Sequence, residues 1–157
     1  MAVSIPKPKT PWEERFRTPT LEALRGQYAR PLAAVFDQAK SKLDEFAGLK
    51  SEIAWQGIAW RWSFLYRAEA EPSRPWMCLV PRPAKPVLVM PLAHELLRQI
   101  PAKKLSKFVR DGLLAAPEVV GIRWPQWELS TKTQADEVLM LAQIKHELTL
   151  GGALAIA

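Results

Sequence analysis

Cysteine and histidine are almost missing from this chain. One Cys, Cys78, and two His, His94 and His146, stand among 157 residues. A lone Cys closes no internal disulfide and has no CxxC partner for zinc or redox work. A chain built without disulfides fits a reducing compartment. Two His exclude a His-rich metal site, and neither has a second His at i+4, so the zinc-binding HExxH arrangement is excluded as well. Long apolar runs are also missing, none approaching the ~18 residues of a membrane helix. Residues 1–20 carry Lys7, Lys9, Pro6, Pro8 and Pro11 but no apolar stretch of the secretory type. The cytoplasm is therefore the expected location, with no membrane partner. Gly-rich phosphate loops, GxSxG elbows and kinase motif sets are absent. With no catalytic set and no cofactor fingerprint, the reading leans away from an enzyme and expects no cofactor.

What is present describes a folding domain. Hydrophobic residues make up 48% of the chain, an ordinary globular share. The length suits one domain, since lone domains cluster at roughly 100–150 residues. Seven Trp are a surplus; each brings a large apolar area and an indole N–H that wants a partner when buried. The net charge is +6, unevenly spread: residues 1–110 hold 19 of the 22 Lys and Arg against 10 of the 16 acids. Such a balance permits an acidic partner without demanding one.

The periodicity divides the chain. Residues 1–19 read as an irregular Pro-rich arm, pinned by Trp12 and Phe16, because each Pro removes a donor and restricts the residue before it. Residues 20–150 read as a single α+β domain, and 151–157 as a frayed tail. Within the domain a short helix is expected from Thr20 to Arg25. A long one follows, with Pro31 in its first turn and Gly48 at its end. Its stripe is Leu32, Val35, Phe36, Ala39, Leu43 and Phe46. The chain then alternates with period two, Trp60, Trp62, Phe64 and Tyr66 on one face and Arg61, Ser63, Leu65 and Arg67 on the other. A strand around Ile53 and Trp55 precedes it, and Trp76–Val80 and Val87–Met90 follow. The short connections make these an antiparallel meander.

Helical pattern returns over Leu92–Ile100 and from Lys103 to Leu114. An extended segment runs from Val119 to Leu129, where Pro125 points to an edge strand or a bulge. The last helix begins near a capping box of Thr133 and Asp136. Val138, Leu141, Ile144, Lys145 and Leu148 follow its period, and Gly151 ends it. The expected fold is an antiparallel sheet of about five strands with helices packed mainly on one face. Its core takes in Leu32, Val35, Phe36, Trp62, Phe64, Leu79, Val80, Val138 and Leu141.

Candidate chemistry is thin. Cys78 lies in Trp76-Met77-Cys78-Leu79-Val80 and reads as a buried small hydrophobe rather than a thiolate. His94 and His146 read as surface or capping residues. The aromatic strand with Arg61 and Arg67 resembles a stacking platform for single-stranded nucleic acid, although a strand packed on a helix shows the same row. The stretch Arg98–Arg110 has Lys103, Lys104, Lys107 and Arg110 and no acid. It reads as a phosphate-binding stripe or a solvated face, with Lys103, Lys107 and Arg110 on one side of a helix. Carboxylates along the long helix pair with neighbouring Lys, Lys40 with Asp44.

Two stretches carry a resemblance. One is Trp60-Arg61-Trp62-Ser63-Phe64-Leu65-Tyr66-Arg67, followed by Trp76 to Pro81. The other is Trp127-Glu128-Leu129, then Ala135 to Lys145. Together they resemble the bacterial domain-of-unknown-function family DUF-3788, over roughly residues 20–148. More remotely they resemble small α+β domains of the YdhG-like group, some of which are likened to frataxin-type iron chaperones. The resemblance implies an α+β fold and no established activity, and no ligand residue carries over. Three functions follow as expectations. The first is a non-enzymatic binding or adaptor domain acting on a protein partner or as a homodimer. The second is a nucleic-acid binder using Arg61, Arg67, Lys103, Lys104, Lys107 and Arg110. The third is a small-ligand or metal-handling protein.

Overall fold

A computed structural model describes residues 9–151. The expectations for residues 1–8 of the arm and 152–157 of the tail lie outside the described residues. The fold is α+β. A five-stranded, wholly antiparallel sheet has the order β1(Leu49–Trp55), β2(Trp62–Ala68), β3(Met77–Val80), β4(Val87–Val89) and β8(Gln126–Glu128). The first four strands form the expected meander. The segment Val119–Leu129 is not one strand. It splits into β6(Glu118–Val119), β7(Ile122–Arg123) and β8, and the first two join β5(Leu92–Ala93) in a second, three-stranded sheet. Pro125 sits at the split, and the strand after it is an edge, as its missing N–H requires.

One row across the main sheet shows how the helices cover it. Phe64, Leu79, Leu88 and Trp127 stand opposite one another across four strands. Phe64 packs on Phe36 of α2(Arg30–Asp44), with ring centroids 6.0 Å apart. At the other end of the row, Trp127 packs on α5(Lys107–Ala115), its Nε1 donating to the Val109 carbonyl. Helices α2 and α5 therefore share a face, and α6(Lys132–Leu150) touches both. Strands β3 and β4 are buried at every residue, so both their faces are covered. Two short helices, α1(Leu21–Arg25) and α3(Gly57–Trp60), flank this core, and α4(His94–Gln99) follows β5.

The expected core residues are buried except Leu32, which is only half covered. Other expectations need correction. Trp60 lies in α3, not on the strand, because Gly57 (φ +84°) and Arg61 (φ 50°) turn the chain there. Helix α2 stops at Asp44, capped by Glu45, and Gly48 (φ +78°) instead turns the chain into β1. Leu92 and Ala93 pair as β5 before α4 begins. The cap of α6 is Thr131, which accepts from the Gln134 N–H, while Gln134 Oε1 accepts from the Ser130 N–H. Thr133 and Asp136 lie inside the helix. Trp12 does pin the arm, since its Nε1 donates to the Trp60 carbonyl at 3.0 Å. Phe16 does not, being 96% exposed.

Candidate functional site: a cleft between the two sheets

The cleft begins with a strand that changes sheets. Strand β4 ends at Val89, and after Met90 and Pro91 the chain enters β5 of the second sheet. The register of β3 with β4 (Cys78↔Val89), continued by two residues, sets Trp76 opposite Pro91. Pro91 has no N–H, so the ladder cannot continue. The sheets part at that point and leave a cleft of about 530 Å³. Its lining is mainly apolar, with Trp76 and Pro91 at the parting and Leu96, Ile122 and Trp124 beyond. Such volume and lining are those of a small-molecule site.

Lys145 reaches the backbone where the ladder stops. Its Nζ donates to the Trp76 carbonyl (2.5 Å) and the Pro91 carbonyl (2.8 Å). The side chain is 5% exposed, and Nζ stands 4.6 Å from the centre of the Trp76 ring. The indole is fixed in turn: Trp76 Nε1 donates to Thr149 Oγ1, and that hydroxyl donates to the Lys145 carbonyl one helical turn back. Burial pushes the Lys145 ammonium down to about 7, because water no longer solvates the charge. Among the described residues no carboxylate forms an ion pair with it. The one acid on the cleft wall, Glu71, lies beside Arg74. The site thus holds a basic amine with two of its three tetrahedral directions satisfied and no counter-charge.

The rim is strained. Strands β6 and β7 are joined by Val120 and Gly121, both at positive φ (51° and 76°). A two-residue hairpin turn of this kind favours Asn-Gly, and a β-branched residue is an outlier in the first place. Val120 lines the cleft mouth and is 94% exposed. The hairpin is tied to α4 by His94 Nε2 and Glu118.

The expected site residues lie elsewhere and do not form one cluster. Arg61 and Arg67 bracket the aromatic part of β2. Arg61 stacks on Trp12 and faces Glu13 at 3.8 Å, and Arg67 pairs with Glu52. Lys103 and Lys104 sit in a 3-10 turn (Ala102–Lys104), whereas Lys107 and Arg110 belong to α5. Leu105 and Ser106 are extended between them, so Lys103, Lys107 and Arg110 do not share a helical face. These four are exposed and, among the described residues, form no ion pair. Helix α5 packs on β8, and two strands separate β8 from β2, on the order of 14 Å across the sheet. Phe64 and Tyr66 face α2, Trp62 packs on Trp55 and donates to the Glu14 carbonyl, and all three are buried, which leaves none of them a free ring face for stacking bases. Lys40 does pair with Asp44, at 2.7 Å.

His146 corrects the surface reading of the histidines. It is buried against Phe46 and Trp76, with Nε2 on the Ala47 carbonyl at 2.7 Å. Cys78 is buried, and its thiol is pushed up to about 12. Among the described residues no three His, Cys, Asp or Glu side chains come together as a metal site, and no helix is long and apolar enough to cross a membrane. None of the seven Trp is exposed; Trp55, Trp60 and Trp124 are half-buried. A search of known protein families, curated proteins and solved structures finds nothing that matches this chain.

The residue that sequence reasoning missed is Lys145. Its signal was its position, seven residues after Val138 on the apolar stripe of α6. A lysine there must either reach the surface or hold buried acceptors.

Proposed function

We propose that this protein is a non-enzymatic binding domain that takes a small, largely apolar molecule into the cleft between its two sheets. The observation that carries the reading is Lys145, a buried amine on the wall of an apolar cleft, with no counter-charge among the described residues. An ordinary core position would be filled by Leu or Met at lower cost, since buried charge is expensive. The cytoplasm belongs to the same proposal, resting on the single cysteine. The resemblance to the DUF-3788 family is part of it too and adds no activity of its own.

The test is titration calorimetry with octanol, on the wild type and on Ala93→Trp. Ala93 is exposed on the cleft wall, so a large side chain there fills the cleft without entering the core. Saturable binding that the variant loses, while keeping its fold, supports the reading. No saturable binding to wild type at millimolar ligand, by octanol or by octanoate or a naphthyl analogue of either, overturns it. A second reading rests on Lys103, Lys104, Lys107 and Arg110, four exposed cations without ion pairs among the described residues. Strung along one solvent-facing segment, they offer positive charge to a polyanion such as single-stranded nucleic acid.

A further inference from the structure

We propose that the ligand of the cleft is an apolar monocarboxylate whose head group pairs with Lys145. This inference rests on the binding reading above and adds the chemistry of the ligand. Lys145 Nζ spends two N–H bonds on the Trp76 and Pro91 carbonyls. Both acceptors are neutral, and the Trp76 ring beside it offers only the negative face of its quadrupole. Such partners orient an ammonium without neutralising it. A carboxylate supplies the missing charge and accepts the remaining N–H, and charge-assisted bonds of that kind are the strong ones. The apolar remainder of the ligand then lies along Leu96, Ile122 and Trp124. A second carboxylate would be left in the same apolar lining without a cation of its own except Arg74 at the rim, which already faces Glu71. One acid group and one apolar body are what the cleft can satisfy.

The pairing couples binding to a proton. The titratable and charged groups around Lys145 are few. Cys78 on β3 stays a neutral thiol, with its titration pushed up to about 12. Next along α6, His146 holds the Ala47 carbonyl. Across the cleft are Glu71 and Arg74, and α4 contributes Leu96 to the lining and no charge. With the free ammonium near 7, the fraction able to pair falls as pH rises, while the ligand carboxylate, with a pKa near 4, stays ionised. Affinity for the carboxylate therefore drops about 25-fold between pH 6.5 and 8.5. An alcohol of the same size shows no such drop.

The experiment compares octanoate with octanol, and naphthoate with naphthalenemethanol, by calorimetry on wild type at both pH values. Two buffers of different ionisation enthalpy report the protons taken up. Octanoate or naphthoate binding at least tenfold tighter than its alcohol at pH 6.5, losing that advantage at pH 8.5 and taking up protons near neutrality, supports the proposal. Lys145→Met then removes the carboxylate preference and leaves the alcohol bound. Acid and alcohol binding equally at both pH values overturns the carboxylate inference and leaves the binding reading standing. Binding by none of the four probes overturns the binding reading, and this inference with it. The wild-type pH comparison needs no variant, so the outcome holds even where Lys145→Met fails to fold.

Discussion

At the scale of single residues, Lys145 sets a slope on stability. Its ammonium titrates near 7 when folded and near 10.4 in an unfolded chain. Between those values the unfolded state binds more protons, so stability rises with pH through that window, by up to about 1.4 kcal/mol per unit. Cys78 opposes it from about pH 8 upward, because the unfolded thiol ionises first while burial keeps the folded one protonated. The clean window is therefore about pH 7 to 8. Urea unfolding across it should show wild-type stability increasing with pH. In Lys145→Met the increase should flatten, whatever the variant loses by stranding the Trp76 and Pro91 carbonyls. Equal slopes in the two proteins would mean that Lys145 is solvated as an ordinary lysine. Position 145 was legible as part of the apolar stripe of α6. The two carbonyls it serves were not, since they come from residues far away in the chain, brought together only by the β3–β4 register.

At the scale of elements, two contacts can be tested by adding or relieving strain. Helix α5 lies so close to β8 that a Cβ on Gly112 would stand 2.1 Å from Trp127 Nε1. Trp127 is fully buried and cannot give way. Gly112→Ala should therefore destabilise the fold by about 2–4 kcal/mol, despite the better helix propensity of Ala. Thermal unfolding measures it, and a stabilised variant would refute the close approach. The β6–β7 hairpin offers the opposite case. Asn tolerates the positive φ that Val120 is forced into, so Val120→Asn should stabilise the protein by about 1 kcal/mol. It should also weaken binding of an apolar ligand, because the side chain it removes lines the cleft mouth. A variant that gains stability with undiminished octanol affinity would place the hairpin outside the site.

Elements with strong period and local caps were the legible ones. Thr20 accepts from the Ala23 N–H, and the alternation from Trp62 to Tyr66 became β2. Strands of two residues, such as β5, β6 and β7, are too short to show a period at all. The break at Leu105-Ser106 was hidden by continuous helix formers around it. There Ser106 caps α5 by accepting from the Val109 N–H, and its hydroxyl donates to Glu137 on α6. That tertiary bond has no sequence signature.

At the scale of the whole molecule, the basic excess and the cleft lie on different parts of the fold. The charge bias toward residues 1–110 was legible in the chain, but its distribution over the surface was not. Folding absorbed Arg61 and Arg67 into pairs with Glu13 and Glu52 and left Lys103, Lys104, Lys107 and Arg110 in solvent. These four lie at the α5 side of the sheet, and no residue of α5 lines the cleft. The two features are therefore separable. Four phosphate contacts on a single strand correspond to a log–log salt slope of about −3. Retention on immobilised single-stranded DNA should be weak at low salt and gone near physiological salt. Lys103→Ser with Lys107→Ser should roughly halve that slope and leave octanol affinity unchanged. Ala93→Trp should do the reverse, abolishing octanol binding while leaving DNA retention as in wild type. Loss of both activities in either variant would join the basic segment and the cleft in one site, with the polyanion reaching across the α5 edge. Independent loss would make the cleft and the four cations two separate binding surfaces, the second a weak, salt-sensitive one for polyanions without sequence preference.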